Sequence, residues 1–249
     1  MLKGLYTASS SMLANQRKLN VISNNLANAN TAGYKKDHAI QESFPEMMIS
    51  LIEQGKEIKQ LGSLGTGVRL QETALDLKQG QLYNTDNQLD FAIEGNGFFV
   101  ISTPAGLRYT RNGNFTLNQA GQIVTKQGYQ VMGQQGPMQT ITGREIKVDE
   151  RGQLYLGGMT GDRFLIVDFP DGNQLRKIRD NLYQSTEEGE GLTAGYQLKQ
   201  GYLENSNVNI IEEMVKMIET SRYFDSNQKV ITAYDSSLDK VVNSVGRLA

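Results

Sequence analysis

The chain has 249 residues, with 25 Lys and Arg set against 27 Asp and Glu for a net charge of -2, so it carries no basic field to gather nucleic acid or anionic lipid. With no Cys and one His, His38, there is almost nothing from which to build a zinc site or a Cys/His or Ser/His/Asp catalytic set, and no cofactor is expected. The 26 Gly against 4 Pro point to many tight turns in a polar, β-rich section.

Met1, Leu5, Ala8, Met12, Asn15, Leu19, Ile22, Leu26 and Ala29 fall three or four apart, the spacing of a narrow apolar stripe on a helix. Asn28, Asn30, Thr31 and Gly33 then supply helix-ending residues, so the helix should stop near Ala29. The opening residues lack the apolar run of a secretory signal, and later runs such as Phe98-Phe99-Val100-Ile101 are too short to span a bilayer, so neither a cleaved leader nor membrane insertion is expected. Residues 35–67 read as a linker with a possible short helix over Pro45–Ile52, followed by Gly55, Gly62, Gly65 and Gly67 in an extended or looped stretch. His38 should be exposed there and bind nothing. Gly62 to Gly67 lacks the Lys and the preceding buried strand of a phosphate loop.

From about Val68 to Leu203 the pattern changes to short alternating runs: Leu89-Phe91-Ile93, Phe98 to Ile101, Tyr109-Thr110, Gln122 to Val124 and Tyr129 to Val131. These predict strands, with Asn112-Gly113, Ala120-Gly121, Arg151-Gly152 and Asp171-Gly172 at hairpin positions, in an antiparallel and partly barrel-like domain. Asn114-Phe115-Thr116 matches a glycosylation sequon that a chain without a secretory signal would not use. Glu187, Glu188 and Glu190 beside Gly189 and Gly191 read as a solvated loop rather than as the paired carboxylates of a glycosidase.

Ile210, Met214, Met217, Ser221, Phe224, Ile231, Tyr234, Leu238, Val241, Val245 and Leu248 make a second stripe, with a weak step near Asn227 and Gln228. Asn207 or Asn209 can cap this helix, Glu212 and Glu213 suit its first turns, and Glu212 with Lys216 and Asp225 with Lys229 are helical ion-pair spacings. The fold class is α+β: a discontinuous helical coiled-coil domain of residues 1–34 with 206–249, a connecting domain of 35–85 with 190–205, and a central β domain of 86–189. Isolated helices of this size are marginal in water, so the termini should order when neighbours supply apolar surface. Periodicity alone does not separate this from two helices packed on the sheet of a monomeric α+β protein.

Three blocks resemble the flagellar rod and hook family. The first runs from Ser23 to Lys35 and includes Asn24, Asn25, Asn28, Asn30, Thr31, Gly33 and Tyr34. The second runs from Leu89 through Gly95, Gly97, Phe98 and Phe99 to Tyr109-Thr110-Arg111-Asn112-Gly113 and Gly121 to Thr125. The third holds Gly201, Tyr202, Glu204, Ser206 and Asn207 and leads into Glu212 to Arg222. The resemblance implies a non-enzymatic subunit of the flagellar basal body, exported through the flagellar type III apparatus without a cleaved signal. Such a subunit polymerises as a helical homopolymer and contacts adjacent rod and hook proteins. The length, and Leu64 to Arg69, fit a distal rod protein; a hook-basal body junction component fits as well, and a displayed β-rich binding module is the alternative from another class. The implied assembly seam pairs Leu5, Met12, Leu19, Ile22 and Leu26 with Ile210, Met214, Met217, Phe224, Ile231, Leu238, Val241 and Val245. Asn24, Asn25, Asn28 and Asn30 are candidates either for hydrogen bonds between subunits or for helix-end caps.

Overall fold

The computed structural model describes residues 2–44, 47–53, 56–65, 67–140, 146–169, 174–179, 181–185 and 195–245. The chain divides into two compact units, one of Met1–Leu26, Asp37–Ala74 and Ile210–Ala249, the other of Ala27–Lys36 and Leu75–Asn209.

The first unit holds helix α1 (Leu2–Ala27) and helix α2 (Ile210–Val245). No Gly or Pro interrupts α2, and Glu212 and Glu213 occupy its first turn, where the helix dipole favours carboxylates. Lys216 Nζ reaches Glu212 Oε1 at 2.6 Å, the expected i,i+4 pair. Strand β1 (Asp37–Ser43) pairs with β4 (Val68–Leu75), and β2 (Met47–Glu53) runs antiparallel to β3 (Lys56–Leu64), with Met47 opposite Leu64 and Glu53 opposite Lys56. The short helix expected over Pro45–Ile52 is therefore not formed, and the stretch expected as linker is mostly strand; Pro45 and Glu46 lie outside the described residues. Eight residues cannot carry the nucleation cost of a helix, whereas a partner strand close in sequence satisfies the same backbone groups.

The second unit contains β5 (Leu82–Asn84), β6 (Phe91–Gly95), β7 (Phe98–Thr103), β8 (Gly106–Thr110), β9 (Phe115–Leu117), β10 (Ile123–Thr125), β11 (Gln130–Val131), β12 (Ile146–Val148), β13 (Gln153–Leu156), β14 (Met159–Arg163), β15 (Ile166–Val167), β16 (Leu175–Lys177), β17 (Leu182–Ser185), β18 (Tyr196–Gln200) and β19 (Tyr202–Glu204). Its main sheet follows the order β16-β17-β8-β7-β11-β10-β9, with β15 also on β7. Among the described residues this path has two free ends and does not close on itself. Smaller sheets are β12-β13-β14, β18-β6 and β19-β5, and their pairings are antiparallel.

Strand β7 explains the unbroken apolar run read in the sequence. Phe99 and Ile101 join one core cluster with Phe91, Phe115, Ile123 and Phe164, while Phe98 and Val100 face a second cluster with Phe169 and Tyr183. A strand buried on both faces has no polar alternation. Rings interlock edge to face in both clusters, Phe99 with Phe115 at 5.2 Å and Phe98 with Tyr183 at 5.4 Å between centroids. The turns at Ala120-Gly121 and Arg151-Gly152 join paired strands, β9 to β10 and β12 to β13. Asn112-Gly113 does not make a hairpin, because β8 pairs with β7 and β17 rather than with β9. The chain instead turns a tight corner there, where a Cβ on Gly113 would strike the Phe91 carbonyl. Asp171-Gly172 and the acidic run Glu187, Glu188 and Glu190 lie outside the described residues.

Candidate functional site: a buried clasp and a helix seam

The first helix ends in a compact turn. Thr31 N–H donates to Asn28 O at 3.1 Å, the Thr31 hydroxyl donates to Asn28 Oδ1 at 3.3 Å, and Gly33 takes φ 68°. A side chain at Gly33 would be strained in that left-handed conformation and would collide with the backbone of Arg111 and Asn112. The Gly33 N–H donates to Glu204 O at 2.7 Å, which seats the loop against the end of β19 and carries Tyr34 and Lys35 into the interior, each 1 % exposed.

There Lys35 Nζ meets Glu204 Oε1 at 2.7 Å and donates to Lys78 O at 2.8 Å. The other carboxylate oxygen, Oε2, accepts from Arg111 Nε at 2.7 Å. Arg111 also donates to Ile93 O at 3.0 Å and to the carbonyls of Gly95 and Gly97. Gly80 N–H adds a further donor to Oε1 at 2.9 Å. Two buried cations thus share one buried carboxylate, whose hydrogen-bonding capacity is well used. Burial pushes the Lys35 ammonium below its usual value, Glu204 opposes that shift, and the Arg111 charge adds to it.

Asn207 closes the cluster from the third sequence block. Its Oδ1 accepts from Lys36 N–H at 2.8 Å, and its Nδ2 donates to Asp76 O and Lys78 O at 2.9 and 3.1 Å. Its side chain is therefore spent here rather than on capping α2, and Asn209 stands at the position just before Ile210. Lys177 Nζ lies 3.5 Å from the centre of the Tyr34 ring and donates to Lys35 O at 2.7 Å. The structure thus brings together Gly33, Tyr34, Gly95, Gly97, Glu204 and Asn207 from three distant blocks, and Gly201 N–H bonds to Asp90 O at 2.8 Å nearby. Phe98 and Phe99 serve the two core clusters, Ser206 Oγ accepts from Val208 N–H at 3.3 Å, and Asn24, Asn30 and Tyr202 are exposed. The pairing of Lys35 and Arg111 with Glu204 had no local sequence signal, since the partners lie 169 and 93 residues apart.

In the first unit Asn25 is buried and works within its own chain. Its Nδ2 donates to Asp37 O at 2.9 Å and to Glu213 Oε2 at 3.3 Å, and its Oδ1 accepts from Asp37 N–H at 3.0 Å. A second contact joins the helices where Gly4 faces Tyr234, so closely that a Cβ would run into the phenol ring. The two contacts are 21 residues apart on each helix, from 4 to 25 and from 213 to 234, in opposite chain directions. The helices are antiparallel neighbours, and the interval equals three heptads.

On α2 the less exposed row is Glu213, Met217, Thr220, Phe224, Asn227, Ile231, Tyr234 and Leu238, stepping four and three throughout. Asn227 continues the row where a step was expected, and Thr220 rather than Ser221 is the buried neighbour. Of the expected seam, Met217, Phe224, Ile231 and Leu238 fall on this row, whereas Ile210, Met214 and Val241 are exposed. On α1, Ile22 is buried, and Leu5, Met12, Leu19 and Leu26 are half-buried. The Val245 side chain lies outside what is described.

Three family profiles match this chain. "Flagella basal body rod protein" covers residues 5–35, "Flagellar hook protein FlgE/F/G D1 domain" covers 92–156, and "Flagellar basal body rod FlgEFG protein C-terminal" covers 199–244. The flagellar hook-basal body complex protein FlhO of Bacillus subtilis (strain 168) is 36% identical over 271 residues, spanning 100% of both chains. The chain belongs to the flagellar basal-body rod protein family. The rod protein FlgG of the same organism is 36% identical over 98% of this chain and 99% of its own length, and FlgF of Rhizobium meliloti (strain 1021) is 31% identical over 99% of each. As a rod-family member it is a structural component of the flagellar basal body and not an enzyme. Among the described residues no helix is long and apolar enough to cross a membrane, and no group of three or more His, Cys, Asp or Glu could hold a metal ion.

Proposed function

We propose that this chain is a subunit of the distal rod, exported unfolded through the flagellar type III apparatus without a cleaved signal. It polymerises through its terminal helices into the hollow shaft that transmits torque to the hook. The observation that carries this reading is the state of α2. Glu213 and Tyr234, on its less exposed row, meet α1 at Asn25 and Gly4, while Ile211, Met214, Val215 and Ile218 stay 50 to 75% exposed on another side of the same helix. A helix with a covered row and a second apolar row suits a subunit that pairs its own ends into a coiled coil and then packs against further copies. One repeated heterologous contact gives a helical tube rather than a closed ring. Contact with adjacent rod and hook proteins at the two ends of the segment follows from the same arrangement. A junction component between hook and basal body is the second reading, favoured by the end-to-end similarity to FlhO.

The absence of Cys makes a direct test simple. Ile218→Cys in cells, followed by bifunctional thiol cross-linking of purified basal bodies, should give covalent dimers of this chain, since the one thiol each copy carries can join one neighbour. Monomer alone, in basal bodies that contain the protein, contradicts packing of copies through this face.

A further inference from the structure

We infer that Lys35, Arg111 and Glu204 form a closure latch, which lets the β-sheet unit fold only when the segment after α1 and the segment before α2 have both docked on it. The inference concerns folding of this unit and stands whether or not the chain polymerises.

Each member of the latch comes from a different part of the chain. Lys35 lies in the 27–36 segment, Arg111 in the corner after β8, and Glu204 at the end of β19. Glu204 is the anion that both cations contact, and all three side chains are 1 to 3% exposed. With Glu204 undocked, Arg111 and Lys35 would be buried as neighbouring like charges, a state far costlier than the paired one. The effect is not confined to the cluster, because the Arg111 guanidinium also holds the carbonyls of Ile93, Gly95 and Gly97. Those carbonyls lie along β6 and in the turn from it into β7, the strand that both core clusters share. The same docking supplies backbone partners: β18 pairs with β6 and β19 with β5. A chain that emerges N-terminus first, from a ribosome or any narrow conduit, therefore keeps this unit open until residue 204 is out.

The latch makes a prediction of sign that simple loss of contacts does not. Glu204→Gln in the full chain leaves two cations without their counter-charge and should lower the folding equilibrium constant of this unit on the order of a hundredfold or more. Adding Lys35→Met removes one of those cations, so the double variant should be more stable than Glu204→Gln alone. Lys35→Met by itself leaves one Arg111–Glu204 pair and should change stability within about tenfold. Hydrogen exchange gives the second readout. In Glu204→Gln, protection should fall together at Gly33 in the docked loop and at Ile123 and Met132, whose N–H groups bond to Met138 O and Val100 O inside the sheet region.

Loss of protection confined to residues 27–36 and 201–209, with Ile123 and Met132 unchanged, overturns the latch. So does a double variant less stable than Glu204→Gln. Should Glu204→Gln fail to fold at all, recovery of a folded double variant supports the inference and its absence overturns it.

Discussion

Replacing Asn25 by Asp tests the helix junction with an almost isosteric change. Asn25→Asp keeps the oxygen that accepts from Asp37 N–H, but it removes the donor to Asp37 O at 2.9 Å and to Glu213 Oε2 at 3.3 Å. Two lost hydrogen bonds in a buried site cost about 2–4 kcal/mol together. The new carboxylate also stands about 3.3 Å from that of Glu213, where two like charges at an effective dielectric near 20 repel by about 5 kcal/mol. Lys216, 3.1 Å from the other Glu213 oxygen, offsets part of this. The introduced group therefore resists ionisation in the folded chain, whereas in the unfolded chain it ionises near pH ~3.9. Since the folded value is raised, stability falls as pH climbs from about 4 through that folded value, and the full penalty applies above it. Urea unfolding followed by helical circular dichroism at pH 4 and pH 7 measures this, with wild type as reference at each pH. Asn25→Ala, which adds no charge, should show a penalty of about 2–4 kcal/mol that hardly changes with pH. Equal penalties for the two variants at pH 7 would refute the close approach of Asn25 and Glu213.

Phe224→Asp, on the covered row of α2, should abolish incorporation into basal bodies while thermal melting of the β-sheet unit stays unchanged; loss of that melt would mean the residue supports the sheet instead. Ile101→Ala, fully buried in the larger core cluster, should cost about 2–5 kcal/mol in the same melt, and a change under 1 kcal/mol would contradict its burial. Because Lys35 holds its proton less tightly when folded than when unfolded, it contributes increasing stability as pH rises from its folded value toward 10.5. The stability of wild type relative to Lys35→Met should therefore grow across that window, and a flat difference would count against the depressed value.

The two helices were legible because their apolar residues repeat at helical spacing over many turns, and α1 ends within two residues of the expected Ala29. Strand β7 was legible from four consecutive buried apolar residues. Met47–Ile52 was not, because a six-residue run with five apolar residues suits a strand or a short helix equally and only the partner Lys56–Leu64 decides between them. Asn227 looked like a break in the second stripe since a half-buried polar residue carries no hydropathy signal. The clasp shows the same limit at longer range. Glu204 reads locally as one acidic residue after a short strand, and its two cations are set by tertiary folding.

The measurement that bears most directly on the rod assignment is electron microscopy of hook-basal bodies from a clean deletion strain of the source organism. The account predicts membrane rings with rods that stop short, no hooks, and restoration by the wild-type chain. Complete rods and hooks on swimming cells would contradict it.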